Sequence, residues 1–415
     1  MKSEVFITNR KRFAEEMEDN SIAVFFSGTF IRDTNDQFYY PFSVERNFYY
    51  LTGIDRENMV LTIAKINGQT REDLYIPPVD EMYERWNALF MRDFKAREIS
   101  GIDAVGFTHS FEGDFAKKMF YGGCVKNIYI FSHYAELNES ETPSRHFTQR
   151  IRAQYPAVNI INSLEILSRL RNVKQPEEHA EIKQAVDYTG EALNHVMRIL
   201  KPGMFEYEVA SHYQHILTLK NSRPRHRSVI AGAHNALILH YNAYTYQLQS
   251  GDLLLMDLGS WSAWYCSDIT RTYPVNGKYT PRQKELYNIV LEGLELVLSE
   301  IKAGYTEKMM NEIYHKFLGK ALKSIKLIQD EAEAVKYIWH GIGHPIGLDL
   351  HDFAVMPERT FLENAVYTVE PALYIPEEGI GIRIEDNVII TKTGVVNLSE
   401  GIIKKAEDIE NFMAG

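Results

Sequence analysis

The chain has 415 residues, 45% of them hydrophobic and 12% aromatic, with a formal net charge of −11. That length calls for two domains, and the apolar content is ample for packed cores and excludes a disordered chain. The acidic balance argues against nucleic acid or an anionic membrane as the main partner. Two cysteines, Cys124 and Cys266, lie far apart in sequence. They exclude a disulfide framework and fit a reducing compartment. The first ten residues are charged, with no apolar centre of the signal-peptide kind, and no apolar run approaches membrane-spanning length. The expectation is a cytoplasmic protein.

Residues 9–20 read as a short charged helix. A strand follows at 21–26, stopped by Ser27-Gly28. After Asn47-Phe-Tyr-Tyr-Leu-Thr-Gly53, further strands are expected at 59–66, 73–76 and 125–131, with Asn67-Gly68 and Pro77-Pro78 as punctuation. Strands alternating with helices predict a small α/β domain over roughly the first 165 residues. The boundary falls near Arg171–Lys174, giving domains at 1–172 and 173–415.

Gln175-Pro176-Glu-Glu178 starts a helix, with proline and acids in its first turn. Ile182, Val186, Thr189, Leu193, Val196 and Leu200 recur on one face of it. Lys201-Pro202-Gly203 ends it. A weak internal repeat follows: Leu200-Lys-Pro-Gly203-Met-Phe-Glu206 is echoed by Ile301-Lys-Ala-Gly304-Tyr-Thr-Glu307. Each copy follows a long amphipathic helix, the second starting at Thr280-Pro281. Each precedes another helix and then a strand carrying an acid, so the two halves should set their acidic strands side by side.

Those acids are Asp257, in Gly251-Asp-Leu-Leu-Leu-Met-Asp-Leu-Gly259, and Glu370, in Val366-Tyr-Thr-Val-Glu-Pro371. Each ends an apolar run that reads as a strand buried on both faces. A carboxylate there costs several kcal/mol unless it is paired or holds a metal. One such acid is commonly explained by an arginine, and Arg271 and Arg383 are available. Several acids, with His340-Gly-Ile-Gly-His344 between them, favour a metal cluster. Carboxylates with one imidazole suit Mn²⁺, Co²⁺ or Fe²⁺ better than a thiolate-type zinc site. His340 and His344 are four apart, but Gly341, Gly343, Pro345 and Gly347 make a helix there implausible. The glycines predict looped backbone packed close to a neighbour.

Asp257, Asp268, His344, Glu370 and Glu385 together resemble the Asp-Asp-His-Glu-Glu ligand set of the dinuclear metallopeptidases with the pita-bread fold. Within that group nearly the whole chain is similar to aminopeptidase P and prolidase, which cleave Xaa-Pro bonds. The Phe-Tyr-Tyr-Leu-Thr-Gly stretch resembles their N-terminal domain. The resemblance implies an α/β (α+β) protein with a smaller N-terminal domain and a C-terminal pita-bread domain of pseudo-twofold design. It implies two divalent ions per chain, Mn²⁺ with Co²⁺ as a substitute, held by those five residues, and an N-terminal Xaa-Pro aminopeptidase acting on small peptides. It also implies a homodimer or homotetramer.

The resemblance further implies individual roles. Glu370 is both ligand and proton carrier. His240, in Ile238-Leu-His-Tyr241, binds near the substrate and helps shuttle a proton, although a histidine on an apolar strand is more often structural. His340, His351 and Arg383 line the proline pocket, with polar packing as the plain alternative for the two histidines. His351 also helps stabilise the tetrahedral intermediate. Arg383 and Glu385, two apart on a strand, should face one side. Thr270, on the same face as Asp268 and Cys266, is a candidate to hydrogen-bond a liganding carboxylate. Asp36 and Trp86 are candidates to reach an active site, including that of a neighbouring subunit, against a surface turn and a packed ring as the alternatives. Pro345 and Ala372 depart from the commonest family pattern, and Pro345 leans toward prolidase. The rivals are an Xaa-Pro dipeptidase, an inactive pita-bread binding protein and a metal-free creatinase-like hydrolase. The last two fit poorly with five retained ligands.

Overall fold

The structure is a computed structural model that describes residues 1–35, 39–121, 125–132, 141–355 and 357–415. The chain divides into two compact units, Met1–Leu170 and Arg171–Gly415.

In the first unit the strands are β1 (Ser21–Phe26), β2 (Val60–Ile66), β3 (Gln69–Ile76), β4 (Val105–Phe107), β5 (Asn127–Ile130) and β6 (Asn159–Asn162). They form one sheet in the order β4-β3-β2-β1-β5-β6. Pairing is antiparallel from β1 through β3 and parallel at both edges. The helices are α1 (Ser3–Glu16), α2 (Arg46–Thr52), α3 (Glu81–Trp86), α4 (Asp93–Ser100), α5 (Thr108–Tyr121), α6 (Pro143–Gln154) and α7 (Leu164–Asn172). Ile22, Val24, Ile128 and Ile130 on the central strands pack against Phe111, Phe115 and Phe147 of α5 and α6. The helix expected at 9–20 starts at Ser3 and ends at Glu16 instead. Its buried face begins at Val5 and Phe6 and continues through Phe13 and Ala14, so the apolar stripe, not the charged run, sets its extent.

The second unit opens with α8 (Pro176–Ile199), α9 (Glu206–Leu219) and β7 (Val229–Gly232). It continues through β8 (Leu253–Leu258), β9 (Trp261–Ser262), β10 (Tyr265–Cys266) and β11 (Ile269–Pro274). Then come α10 (Pro281–Glu300), α11 (Glu307–Ser324), β12 (Val366–Val369), β13 (Ala372–Ile375), β14 (Ile380–Arg383), β15 (Asp386–Ile390) and β16 (Val395–Asn397). No helix among the described residues is long and apolar enough to cross a membrane. The helix starts follow from local chemistry. The Gln175 N–H donates to Glu178 Oε2 (2.8 Å), and Thr280 and Gln283 cap each other at the start of α10.

The internal repeat is visible in the backbone. Gly203 and Gly304 take φ of 93° and 91°, left-handed values that suit glycine. Their N–H groups donate to Leu248 O and Phe361 O. Isolated bridges then pair Phe205 with Gln247 and Thr306 with Thr360. The two acidic strands, however, do not lie side by side. β8 is the centre of a sheet β11-β8-β7, with both edges already paired, and β12 belongs to a sheet β12-β15-β16. The two halves join along β11 instead. Glu385 N–H donates to Thr270 O (3.0 Å), Thr272 Oγ1 to Arg383 O (3.1 Å), and the Asp268 N–H to Asn387 Oδ1 (3.0 Å).

Candidate active site

Each acid arrives from a different piece of backbone. Asp257 sits in β8, and Thr270 faces it across the pairing with β11. Asp268 lies in the two-residue link between β10 and β11, not on a strand as its alternating pattern suggested; the β9–β10 hairpin interrupts the run. Glu370 stands between β12 and β13, and Glu385 between β14 and β15. Arg383 is the last residue of β14, so the strand spacing expected for Arg383 and Glu385 breaks there. His344 sits in non-helical backbone, as the glycines predicted. A Cβ on Gly343 would come within 2.3 Å of Thr368 O, which explains that residue: the loop runs hard against β12.

The side chains converge. His344 Nε2 lies 3.5 Å from Asp268 Oδ2 and 3.6 Å from Glu370 Oε1. One donor atom each from Asp268, His344 and Glu385 fall within 4.8 Å of one another, as do those of His226, Asp257 and Asp268. Thr270 Oγ1 donates to Glu385 Oε2 (2.7 Å) and accepts from Arg383 Nε (3.0 Å), so the expected hydroxyl–carboxylate bond is present. Arg383 also donates to Asp257 Oδ2 (2.5 Å) and to Tyr374 OH (2.7 Å). Of the two arginines offered as partners for a buried acid, Arg383 takes Asp257. Arg271 pairs with Asp386 at 2.7 Å.

The electrostatics record crowding. Burial pushes Glu370 up to about 7. Burial and neighbouring acids, Asp257 for Asp268 and Asp268 for Glu385, hold those two carboxyls above their usual range. Asp257 goes the other way: burial opposes its charge, but Arg383 and His226 hold it well below the carboxylate range. His344 is raised to about 9, because Asp268 and Glu370 outweigh its burial. His340 and His351 are lowered to about 4, by burial first, then by Arg383 and His344 respectively.

Divalent ions fit this donor set. Asp268 Oδ1 is buried with no hydrogen-bond partner among the described residues. His344 Nδ1 lies 3.1 Å from Pro345 O. That contact keeps the proton on Nδ1 and leaves the Nε2 lone pair aimed at Asp268 and Glu370, the tautomer a metal requires. Three carboxyls raised by burial, and further by one another, are short of positive charge.

The remaining expected residues surround this centre unevenly. His340 Nε2 is 2.9 Å from Tyr374 OH, and its Nδ1 is 3.6 Å from Glu370 Oε2. The His351 ring lies 4.1 Å from that of His344. His240 is close enough to both His340 and His351 to weigh against their protonation. It does not sit on a strand, as the run Ile238–Tyr241 suggested: it lies in an exposed turn after a 3₁₀ helix, Ala233–Leu237. The reason is Glu206, fully buried at the start of α9. Its Oε1 accepts from Gly232 N–H (2.8 Å) and Asn235 Nδ2 (3.0 Å), and its Oε2 from Tyr241 OH (2.8 Å) and Tyr246 N–H (3.0 Å). One carboxylate gathers the segment into a loop. Trp86 ends α3 and is 79% exposed, so it is not a packed ring; Asp36 lies outside the described residues.

Sequence reasoning missed Glu206, Tyr374 and His226. Tyr374 is bonded to both Arg383 and His340, with Trp339 stacked on it at 4.7 Å. His226 Nε2 stands 3.2 Å from Asp257 Oδ1 and is raised to about 9, since Asp257 and Asp268 outweigh its burial. Only the repeat motif ending in Glu206 carried any signal for these.

Comparison with known proteins agrees with the geometry. Residues 180–392 match the model of metallopeptidase family M24, and residues 6–128 match the aminopeptidase P N-terminal domain. The chain is 31% identical to the Xaa-Pro aminopeptidase of Haemophilus influenzae, over 99% of this chain and 97% of that protein. It is 30% identical to the Xaa-Pro aminopeptidase of Escherichia coli, over 98% and 97%. Among solved structures, E. coli aminopeptidase P with the inhibitor Pro-Leu superposes with a TM-score of 0.91 at 28% identity, covering 100% of this chain and 98% of that one. With a family model over just more than half of its length and full-length relatives at this identity, the chain belongs to metallopeptidase family M24.

Proposed function

We propose that this chain is a metal-dependent Xaa-Pro aminopeptidase, removing the first residue of a peptide whose second residue is proline. The observation that carries the proposal is the convergence of Asp257, Asp268, His344, Glu370 and Glu385 at one largely buried cluster. Relatives that match end to end support it: the E. coli enzyme has been solved with Pro-Leu and, zinc-substituted, with product. We assign those five residues as ligands of two divalent ions, Mn²⁺ in preference, with Co²⁺ as a substitute. We assign residues 1–172 and 173–415 as the two domains, and a cytoplasmic homodimer or homotetramer as the working form.

Divalent ions at such a site polarise the scissile carbonyl and make water nucleophilic at neutral pH. Everything else falls to the chain. Glu370 takes the proton of the attacking water and passes it to the proline nitrogen as the bond breaks. Arg383 fixes the Asp257 carboxylate, and Thr270 ties that arginine to Glu385, so the four side chains form one hydrogen-bonded network. His240 and His351 stabilise the tetrahedral intermediate. His340, His351 and Arg383 form the wall against the proline ring. A bond to proline has no N–H to satisfy, so such a wall needs shape and no hydrogen-bond acceptor.

A dipeptidase would need a dedicated clamp for the proline carboxylate. Arg383, the cation in this wall, is already bonded to Asp257, Thr270 and Tyr374. Longer peptides are therefore accepted. Elemental analysis and activity after chelation and add-back test the proposal. About two ions per chain and recovery with Mn²⁺ are expected, and full peptidase activity in metal-free protein contradicts it.

A further inference from the structure

A sixth side chain enters the pocket. His226 lies in the connection between α9 and β7, flanked by Arg225 and Arg227. Both of its ring nitrogens are buried, and neither makes an aligned hydrogen bond among the described residues. Buried polar atoms are seldom left this way without an ion or water as partner. Nε2 stands 3.2 Å from Asp257 Oδ1, and a donor atom of His226 lies within 4.8 Å of those of Asp257 and Asp268.

The backbone makes room for the ring. A Cβ on Gly259 would come within 3.1 Å of His226 Cε1 and Nδ1, and within 2.3 Å of Ser267 O. The residue just after the strand bearing Asp257 therefore lacks a side chain where the imidazole sits. Asp257 Oδ2 is taken by Arg383, so Oδ1, the oxygen facing His226, is the one left to share. The two donor clusters are alike in make-up. One pairs Asp268 with His344 and Glu385, the other pairs Asp268 with His226 and Asp257.

We propose that His226 is a direct ligand of the ion held by Asp257 and Asp268, so that each ion of the pair carries one imidazole. This rests on the two-ion reading above. It also names the ligand chemistry: an imidazole on the second ion moves that position toward borderline metals such as Zn²⁺ and Co²⁺, compared with an all-carboxylate site.

The test uses the full-length chain, freed of metal and titrated with Co²⁺ alone by calorimetry and visible absorption. Pulsed electron paramagnetic resonance of the Mn²⁺-loaded chain, with ¹⁵N-labelled histidine, counts the coupled imidazoles. The wild type should bind two ions and show two coupled imidazoles. His226→Phe and His226→Leu, confirmed folded by circular dichroism, should keep one coupled imidazole and bind the second ion at least ~10-fold more weakly. One coupled imidazole in a wild type holding two ions overturns the inference while leaving the two-ion reading intact. So does a variant with weakened affinity but both imidazoles still coupled, which would make His226 a positioning residue for Asp257. Fewer than two ions in the wild type overturns the two-ion reading and this inference with it. A wild-type count of one overturns the inference even if neither variant folds.

Discussion

Freed of metal, the chain should lose stability as pH rises from about 6.5 to about 9. The perturbation is chelation, followed by thermal melting at fixed ionic strength across that range. In the ion-free chain His344 and His226 are each raised to about 9, because neighbouring carboxylates outweigh burial. A histidine raised in the folded state binds more protons folded than unfolded. Its contribution is complete below about 6.5 and is lost as pH climbs through about 9. For one ring that displacement corresponds to about 3 kcal/mol. Both rings draw on Asp268, so their contributions do not add, and about 3 kcal/mol is the expectation for the pair. In a unit of this size that is a fall in Tm of roughly 6–12 °C. Glu370, raised to about 7, acts with the same sign at lower pH: it destabilises the fold as it ionises. His340 and His351, lowered to about 4, act oppositely, but their effect is complete by about pH 6.5. Saturating Mn²⁺ should flatten or reverse the decline, because ions replace protons as partners of the acids and bind better as pH rises. A Tm flat from pH 6.5 to 9 without metal, or an equal fall with it, refutes the reasoning.

Two substitutions separate the roles given to single residues. Glu370→Gln should keep the fold and lose ~10²–10⁴-fold in kcat, because the proton carrier is gone; near-wild-type kcat in steady-state assays would remove that role. Glu206→Gln replaces an acceptor oxygen with an NH₂ facing two donors, Tyr241 OH and Tyr246 N–H. It should loosen the 232–246 loop, seen as faster amide exchange there, and lower kcat through His240 with metal content unchanged. Unchanged exchange in that loop would contradict the positioning role.

The parts of the site legible in the sequence were charges in places that burial forbids. Asp257 after Leu-Leu-Leu-Met, and Glu370 after Val-Tyr-Thr-Val, demand partners wherever the chain folds. Glycines around His344 excluded a helix for the same local reason. What was not legible depends on residues distant in sequence. Ile238–Tyr241 has the composition of a strand, yet Glu206, more than thirty residues earlier, pulls its surroundings into a loop. His226 sits among arginines and reads as part of a solvated basic run; only Gly259, far along the chain, gives its ring a buried place. The acidic strands were expected to be neighbours because the repeat puts one in each half. Hydrogen bonding already saturates both edges of β8, so the halves meet through β11 instead.

The proposed activity is metal-dependent cleavage before proline with the far side of the site open. Competing-substrate kinetics on Ala-Pro-Ala, Ala-Pro and Ala-Ala-Ala, in chelator and after Mn²⁺ add-back, test it most directly. No turnover is expected in chelator. With Mn²⁺, Ala-Pro-Ala should be cleaved at least as well as Ala-Pro, and Ala-Ala-Ala left largely intact. Turnover of Ala-Pro alone, turnover of Ala-Ala-Ala equal to that of Ala-Pro-Ala, or undiminished activity in chelator would contradict it.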